Sequence, residues 1–181
     1  MKSCCFTGYR PNKFPFPFRR NNADYIAMEN ALTETVLSLA ADGVETFYSG
    51  MAMGFDLLAA DTVLLAKKAF PALRLVAAIP FAEQASGFPP AWKKRYDRIL
   101  GAADLCDIIC AGYSPACFQL RNEYMVKHSD VVVTWFDGQP GGTQNTLRYA
   151  EKIGRGIINL CTLPPVQTAD HPLFEAEDDE I

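Results

Sequence analysis

Short apolar runs alternate along the chain with stretches whose apolar residues recur every three or four positions. The runs fall at residues 3–7, 46–49, 73–79, 105–110, 130–135 and 156–160, and one holds Val131, Val132 and Val133 in succession. Unbroken apolar runs suit strands covered on both faces, where inward–outward alternation disappears. After the first two strands the helical period takes over. Tyr25, Met28, Leu32, Val36 and Leu39 share one helical face that Gly43 closes, and Leu58, Thr62, Leu65 and Ala69 share another that stops at Phe70 and Pro71. Further helices are predicted over 90–100, with Trp92, Tyr96 and Ile99 on one side, over 115–127, and over 143–153 with Gly154 as the stop.

This alternation predicts an α/β fold: a Rossmann-like, doubly wound, mostly parallel sheet with helices on both faces, in a single domain. The 181 residues suffice for one such domain with some tail. The domain is expected over residues 1–162 and an acidic, mobile tail over 163–181. Residues 11–22 hold three prolines, three phenylalanines and two arginines, and are expected to form an extended loop over the strand ends.

Charge sharpens the picture. The tail carries Asp170, Glu175, Glu177, Asp178, Asp179 and Glu180 and no Lys or Arg, so 17 basic residues face only 15 acidic ones elsewhere, although the whole chain is at −4. A body near +2 suits a small anionic ligand and falls short of the basic stripe of a dedicated nucleic-acid binder. No apolar run approaches the roughly 18–20 residues of a membrane span. The first residues, MKSCCFTGYRP, lack a signal-peptide pattern, so a cytoplasmic protein with no membrane partner is expected. Six cysteines form no CxxC pair, and neither His128 nor His171 is near a cysteine cluster in sequence. No metal is expected, and Cys4, Cys5, Cys106, Cys110 and Cys161 read as small hydrophobes in or beside strands.

In a doubly wound sheet, ligands bind beyond the carboxyl ends of the strands. Four segments carry candidate chemistry there. Thr7-Gly8-Tyr9-Arg10-Pro11 follows the first strand, and Arg10 can pair with phosphate. Ser49-Gly50-Met51-Ala52-Met53-Gly54-Phe55-Asp56 opens a helix with glycines that let an anion approach its N-terminus, and Asp56 can hold a ribose hydroxyl. Pro140-Gly141-Gly142-Thr143-Gln144-Asn145-Thr146 repeats the arrangement, with hydroxyls at Thr143 and Thr146. Arg121 and Asn122 lie inside a helix, where a solvated face is the default. They join the site only if that helix starts near it.

SGMAMGFD and PGGTQNT, with TGYRP before them and RNEYMVKHSDVVVTWFDG between, resemble the YpsA-like family of the SLOG superfamily, the Rossmann-like group that contains the LOG phosphoribohydrolases and the DprA/Smf proteins. The resemblance covers residues 2–161. It implies a site for a nucleotide or related ligand such as ADP-ribose or NAD, with no required cofactor. It also implies two alternatives. LOG enzymes cleave the N-glycosidic bond of nucleoside monophosphates with a PGGxGTxxE motif, but Gln144, Asn145 and Arg148 stand here where that motif has Gly, Thr and Glu. DprA-like proteins bind single-stranded DNA, for which the basic and aromatic candidates are Phe14, Phe16, Phe18, Arg19 and Arg20, with Lys93, Lys94, Arg95 and Arg98. The expected ligand-binding set is therefore Gly8, Arg10, Ser49, Gly50, Gly54, Asp56, Arg121, Asn122, Gly141, Gly142, Thr143 and Thr146, with no catalytic residue assigned. A homo-oligomer is left open.

Overall fold

The computed structural model describes residues 2–162, so the acidic tail expected over 163–181 lies outside the described residues. Six strands, β1 (Lys2–Thr7), β2 (Val44–Ser49), β3 (Arg74–Ile79), β4 (Leu105–Ile108), β5 (Val131–Thr134) and β6 (Gly156–Asn159), form one sheet in the order β4-β3-β2-β1-β5-β6. Every neighbouring pair is parallel. Five helices connect them: α1 (Ala23–Ala41), α2 (Phe55–Ala66), α3 (Pro90–Ala102), α4 (Cys117–Lys127) and α5 (Gly142–Lys152). The expected doubly wound architecture is what forms.

Strand residues alternate between two cores. Cys4, Phe6, Leu75, Ala77, Ile79 and Val133 join the larger core under α1, α2 and α3, where Phe6 stacks on Phe47 at 5.9 Å. Cys5, Ala78 and Val132 turn to the smaller core under α4 and α5, with Met125, Leu147 and Ala150. Both faces are apolar, which is why the sequence runs show no alternation. The first three crossovers build the sheet away from β1 in one direction. The fourth, through α4, returns to its other side and leaves the strand order reversing between β1 and β5.

Residues 11–22 cross the strand ends as expected and are pinned there by their rings. Phe14 is buried 5.0 Å from Trp135, Phe16 meets Trp135 edge-on at 5.3 Å, and Phe18 meets Tyr25 at 4.9 Å. The cysteine expectation needs correcting. Cys4 and Cys5 are fully buried, but Cys106 and Cys161 are exposed and Cys110 only partly covered. Cys106 sits on the four-residue edge strand β4, whose Leu105 and Ile108 are also more than half exposed, and Cys161 follows the other edge strand. Edge strands lack neighbours on one side, so an apolar run there does not guarantee burial. Cys117, in contrast, is buried at the start of α4.

Truncating Phe6 should cost about 3–5 kcal/mol, the usual range for emptying a ring-sized core site. Truncating Tyr113, which is 70% exposed, should move stability by under about 0.5 kcal/mol. Urea denaturation of Phe6→Ala and Tyr113→Ala checks both, and similar losses would contradict the assigned core.

Candidate functional site

The reversal between β1 and β5 opens a crevice at the carboxyl ends of the strands, the place where such sheets bind ligands. A cleft of about 170 Å³ occupies it, lined by Thr7, Gly8, Tyr9, Arg10 and Lys13 from the segment after β1, Ala52 and Asp56 from the β2–α2 connection, Phe118, Arg121 and Asn122 from α4, and Pro140, Gly141, Gly142 and Thr143 at the start of α5. Thr7 brings a hydroxyl to it from the end of β1, where its register partner on β5 is the fully buried Thr134.

Eight of the twelve expected residues line this cleft: Gly8, Arg10, Asp56, Arg121, Asn122, Gly141, Gly142 and Thr143. Ser49, Gly50, Gly54 and Thr146 stand behind it and shape it. The Ser49 hydroxyl donates to the Asp56 carbonyl at 2.8 Å and accepts from the Met51 amide at 3.2 Å, fastening β2 to the first turn of α2. Thr146 donates to the Gly142 carbonyl at 2.8 Å, bracing the first turn of α5. Gly54 caps α2 at φ +97°, and a Cβ there would lie 2.5 Å from the Tyr9 carbonyl oxygen. Gly50 leaves the room that the Arg121 side chain fills. Between the two glycines Met51 is fully buried at φ 56°, a left-handed conformation that bulky residues rarely adopt. Such strain persists only where the surroundings enforce it.

Arg121 is the residue whose place the sequence leaves undecided. It is 4% exposed, donates from Nη1 to the Gly50 carbonyl, and lies 3.6 Å from the Asp56 carboxylate, while its buried Nε has no partner. Gln84 Nε2 reaches the same Gly50 carbonyl at 3.1 Å. Burial raises the Asp56 carboxyl to about 6, against the opposing pull of Arg121, the Ala52 amide and Arg10; burial also draws Arg121 downward, with Asp56 holding it up. Arg10 and Lys13 are exposed at the mouth, and the Lys13 ammonium hangs over Gly141. Three cations and the N-termini of α2 and α5 thus face one partly neutralised carboxylate. That balance favours an anion.

The two main loops are tied together across the crevice. The Tyr9 hydroxyl donates to Asp137 at 2.6 Å and accepts from the Gln139 amide at 3.1 Å, which holds the approach to Pro140 and Gly141 against the loop after β1. Burial and the neighbouring Asp137 raise the Tyr9 hydroxyl to about 12, so it stays protonated as a donor. Thr7, Tyr9, Lys13, Ala52, Phe118 and Pro140 were not among the expected residues. Tyr9 and Pro140 stand inside segments already singled out, and Lys13 is in the loop expected over the strand ends. Phe118 has no local signal.

With the geometry in place, comparison with known proteins is decisive about kinship. Residues 4–154 match the family described as the YspA SLOG family. The chain belongs to that family. It is 34% identical to the UPF0398 protein BH1768 of Halalkalibacterium halodurans over 155 residues, 84% of this chain and 82% of that one. It is 37% identical over 118 residues to the SPbeta prophage-derived protein YoqJ of Bacillus subtilis, 59% of this chain and 69% of that one. Among solved structures, DNA processing protein A from Helicobacter pylori, whose single-stranded DNA binding mode its structure describes, shares the fold at TM-score 0.57 and 20% identity, over 86% of this chain and 63% of that one. DNA processing protein A from Streptococcus pneumoniae does so at TM-score 0.58 and 18% identity, over 86% and 49%. The chain spans less than two thirds of either, and at such identities the likeness establishes the fold.

Of the candidates for a strand-stacking groove, Arg19, Arg20, Lys93, Lys94 and Arg98 are exposed, whereas the phenylalanines are covered. Phe14, Phe16 and Phe18 pack inward. On α3, Lys93 is paired with Asp97 at 2.9 Å, and Asp61 neutralises Arg95 at 2.7 Å and Arg98 at 2.9 Å. Among the described residues no three His, Cys, Asp or Glu side chains cluster as metal ligands would, and no helix is long and apolar enough to cross a membrane.

Two outcomes follow for variants and for pH. Gly142→Ala places a methyl in open space at the cleft and should keep the melting temperature while weakening ligand binding, whereas Gly54→Ala should lower stability by about 1–3 kcal/mol through backbone strain. Thermal melts and titrations of the two variants separate these effects. Because the folded-state value of Asp56 is raised to about 6, the carboxyl becomes neutral as pH falls below that value and the cleft gains one net positive charge. Affinity for ADP-ribose, whose phosphates do not titrate there, should rise between pH 7.5 and 5. Asp56→Asn should abolish that rise, and a slope retained in the variant would contradict the assignment.

Proposed function

We propose that the cleft binds a nucleotide or nucleotide-derived ligand by its phosphoryl group, as a binding or sensing protein. The observation that carries this is the convergence of Arg10, Lys13 and the half-satisfied, buried Arg121 with two helix N-termini at the reversal between β1 and β5. Family membership supports it, because the site lies in segments on which the resemblance rests. Arg10 and Lys13 supply phosphate contacts at the mouth, Gly141 and Gly142 offer close backbone approach, and Asp56 orients Arg121 while its cleft-facing edge takes a ribose hydroxyl. At about 170 Å³ the cleft is smaller than the ~300–1,000 Å³ of whole-ligand pockets, so it takes the phosphoryl end and leaves the remainder at the mouth.

A second reading, hydrolysis of a nucleotide N-glycosidic bond, has one carboxylate to work with. Among the described residues Asp56 is the one acid lining the cleft, and Arg148, at the position of the LOG glutamate, is exposed on α5. Incubation with AMP followed by chromatography for free adenine tests it, and undiminished AMP would remove it.

A thermal-shift screen with ADP-ribose, NAD and nucleoside monophosphates tests the leading reading. A ligand at a hundred times its dissociation constant adds about 2.7 kcal/mol to stability, enough for a clear rise in melting temperature. Arg10→Ala/Lys13→Ala should reduce affinity at least roughly tenfold and leave the ligand-free melting temperature in place, since both side chains are exposed. A flat screen, or full affinity in the double variant, would contradict the proposal.

A further inference from the structure

We propose that the ligand of this cleft carries an aromatic base, and that Phe118, Phe81 and Tyr113 form the ledge on which that base stacks. The inference rests on the phosphoryl-binding reading of the cleft and names the part of the ligand that projects from it. Phe118 lines the cleft from the first turn of α4, one turn before Arg121. Its ring meets Phe81 edge-on at 6.0 Å, and Phe81 meets Tyr113 edge-on at 5.6 Å. Phe81 follows β3 and Tyr113 follows β4. Two consecutive strand-end connections, after β3 and after β4, therefore contribute rings to one line that starts at the cleft with Phe118 and runs through Phe81 to Tyr113.

These rings are not core. Neither hydrophobic cluster includes Phe81, Phe118 or Tyr113, whereas Phe14, Phe16, Phe18 and Trp135 all belong to the larger one or pack on it. Exposure grows along the line, from the partly covered Phe118 and Phe81 to Tyr113, 70% exposed and yet held by a ring partner. Exposed rings beside a cationic cleft are what a phosphorylated aromatic ligand requires: the charge fixes one end and the π-face receives the other. Asn122 sits one turn after Phe118 on the same cleft-facing side of α4 and offers an amide with both donor and acceptor atoms. Stacking on Phe and Tyr tolerates any base, so discrimination among bases falls to that amide.

Ribose 5-phosphate and AMP differ by the base alone, and calorimetric titration of the full chain with each separates the ledge from the cleft. AMP should bind more tightly by roughly five- to a hundredfold, the range expected of base–aromatic stacking. Phe81→Leu/Tyr113→Ala should remove most of that preference and leave ribose 5-phosphate affinity within about twofold. Equal affinity for the two probes, or a preference that survives the double substitution, would overturn the ledge and leave the cleft standing. Binding of neither probe, with ADP-ribose and NAD also inert, would overturn both readings. Binding of oligothymidylate but not AMP would overturn the small ligand in favour of a polynucleotide.

Discussion

A guanidinium buried beneath the cleft organises the rest of this protein's candidate site. Burying a charge is costly unless hydrogen bonds and an opposite charge offset it, and Arg121 has both in the Gly50 carbonyl and Asp56. The consequences spread outward. Gly50 must lack a side chain because the guanidinium occupies that space, and the chain continues through Met51, in a left-handed conformation, to Ala52 on the cleft wall with its amide on the Asp56 carboxylate. The same contact fastens α4, from one face of the sheet, to the β2–α2 connection. The Nε of Arg121, also buried, has no hydrogen-bond partner among the described residues.

Topology supplies the space that this charge fills. Strands β2, β3 and β4 add to one side of β1 while β5 and β6 add to the other, so the connections after β1 and β5 diverge over a gap. The gap is held at a fixed width by the Tyr9 hydroxyl, bonded to both Asp137 and the Gln139 amide, and by the phenylalanine-anchored loop packed on Trp135. Rigid walls and a preorganised cation reduce the ordering that binding would otherwise demand.

The sheet was legible in the sequence because burial on both faces writes itself as continuous apolar runs; β5, with three valines in a row, is the plainest case. The glycine loops were legible for a related reason, since a backbone that turns from strand into helix needs residues such as Gly54 and Gly141, both at positive φ. Arg121 was harder. Its sequence neighbours, Asn122 and Glu123, read as a solvated helix face, and only the long return of the chain from β4 to β5 brings that turn of α4 under β2. Phe118 escaped for the same non-local reason. Cys106 misled because strand character and burial part company at a sheet edge. The ion pairs that Arg95 and Arg98 of α3 make were not legible either, because their partner Asp61 lies more than thirty positions earlier on α2.

A phosphoryl group bound at the reversal between β1 and β5, as proposed, would perturb the strand-end loops before any other part of the chain. Backbone amide chemical shifts followed during titration with ADP-ribose test it directly. The amides of Gly8, Arg10, Ala52, Gly141, Gly142 and Thr143 should move first and furthest, together with the Nε–H of Arg121. Saturating shifts centred on α3, or on the exposed edge strand β4, with the glycine loops unmoved, would contradict it.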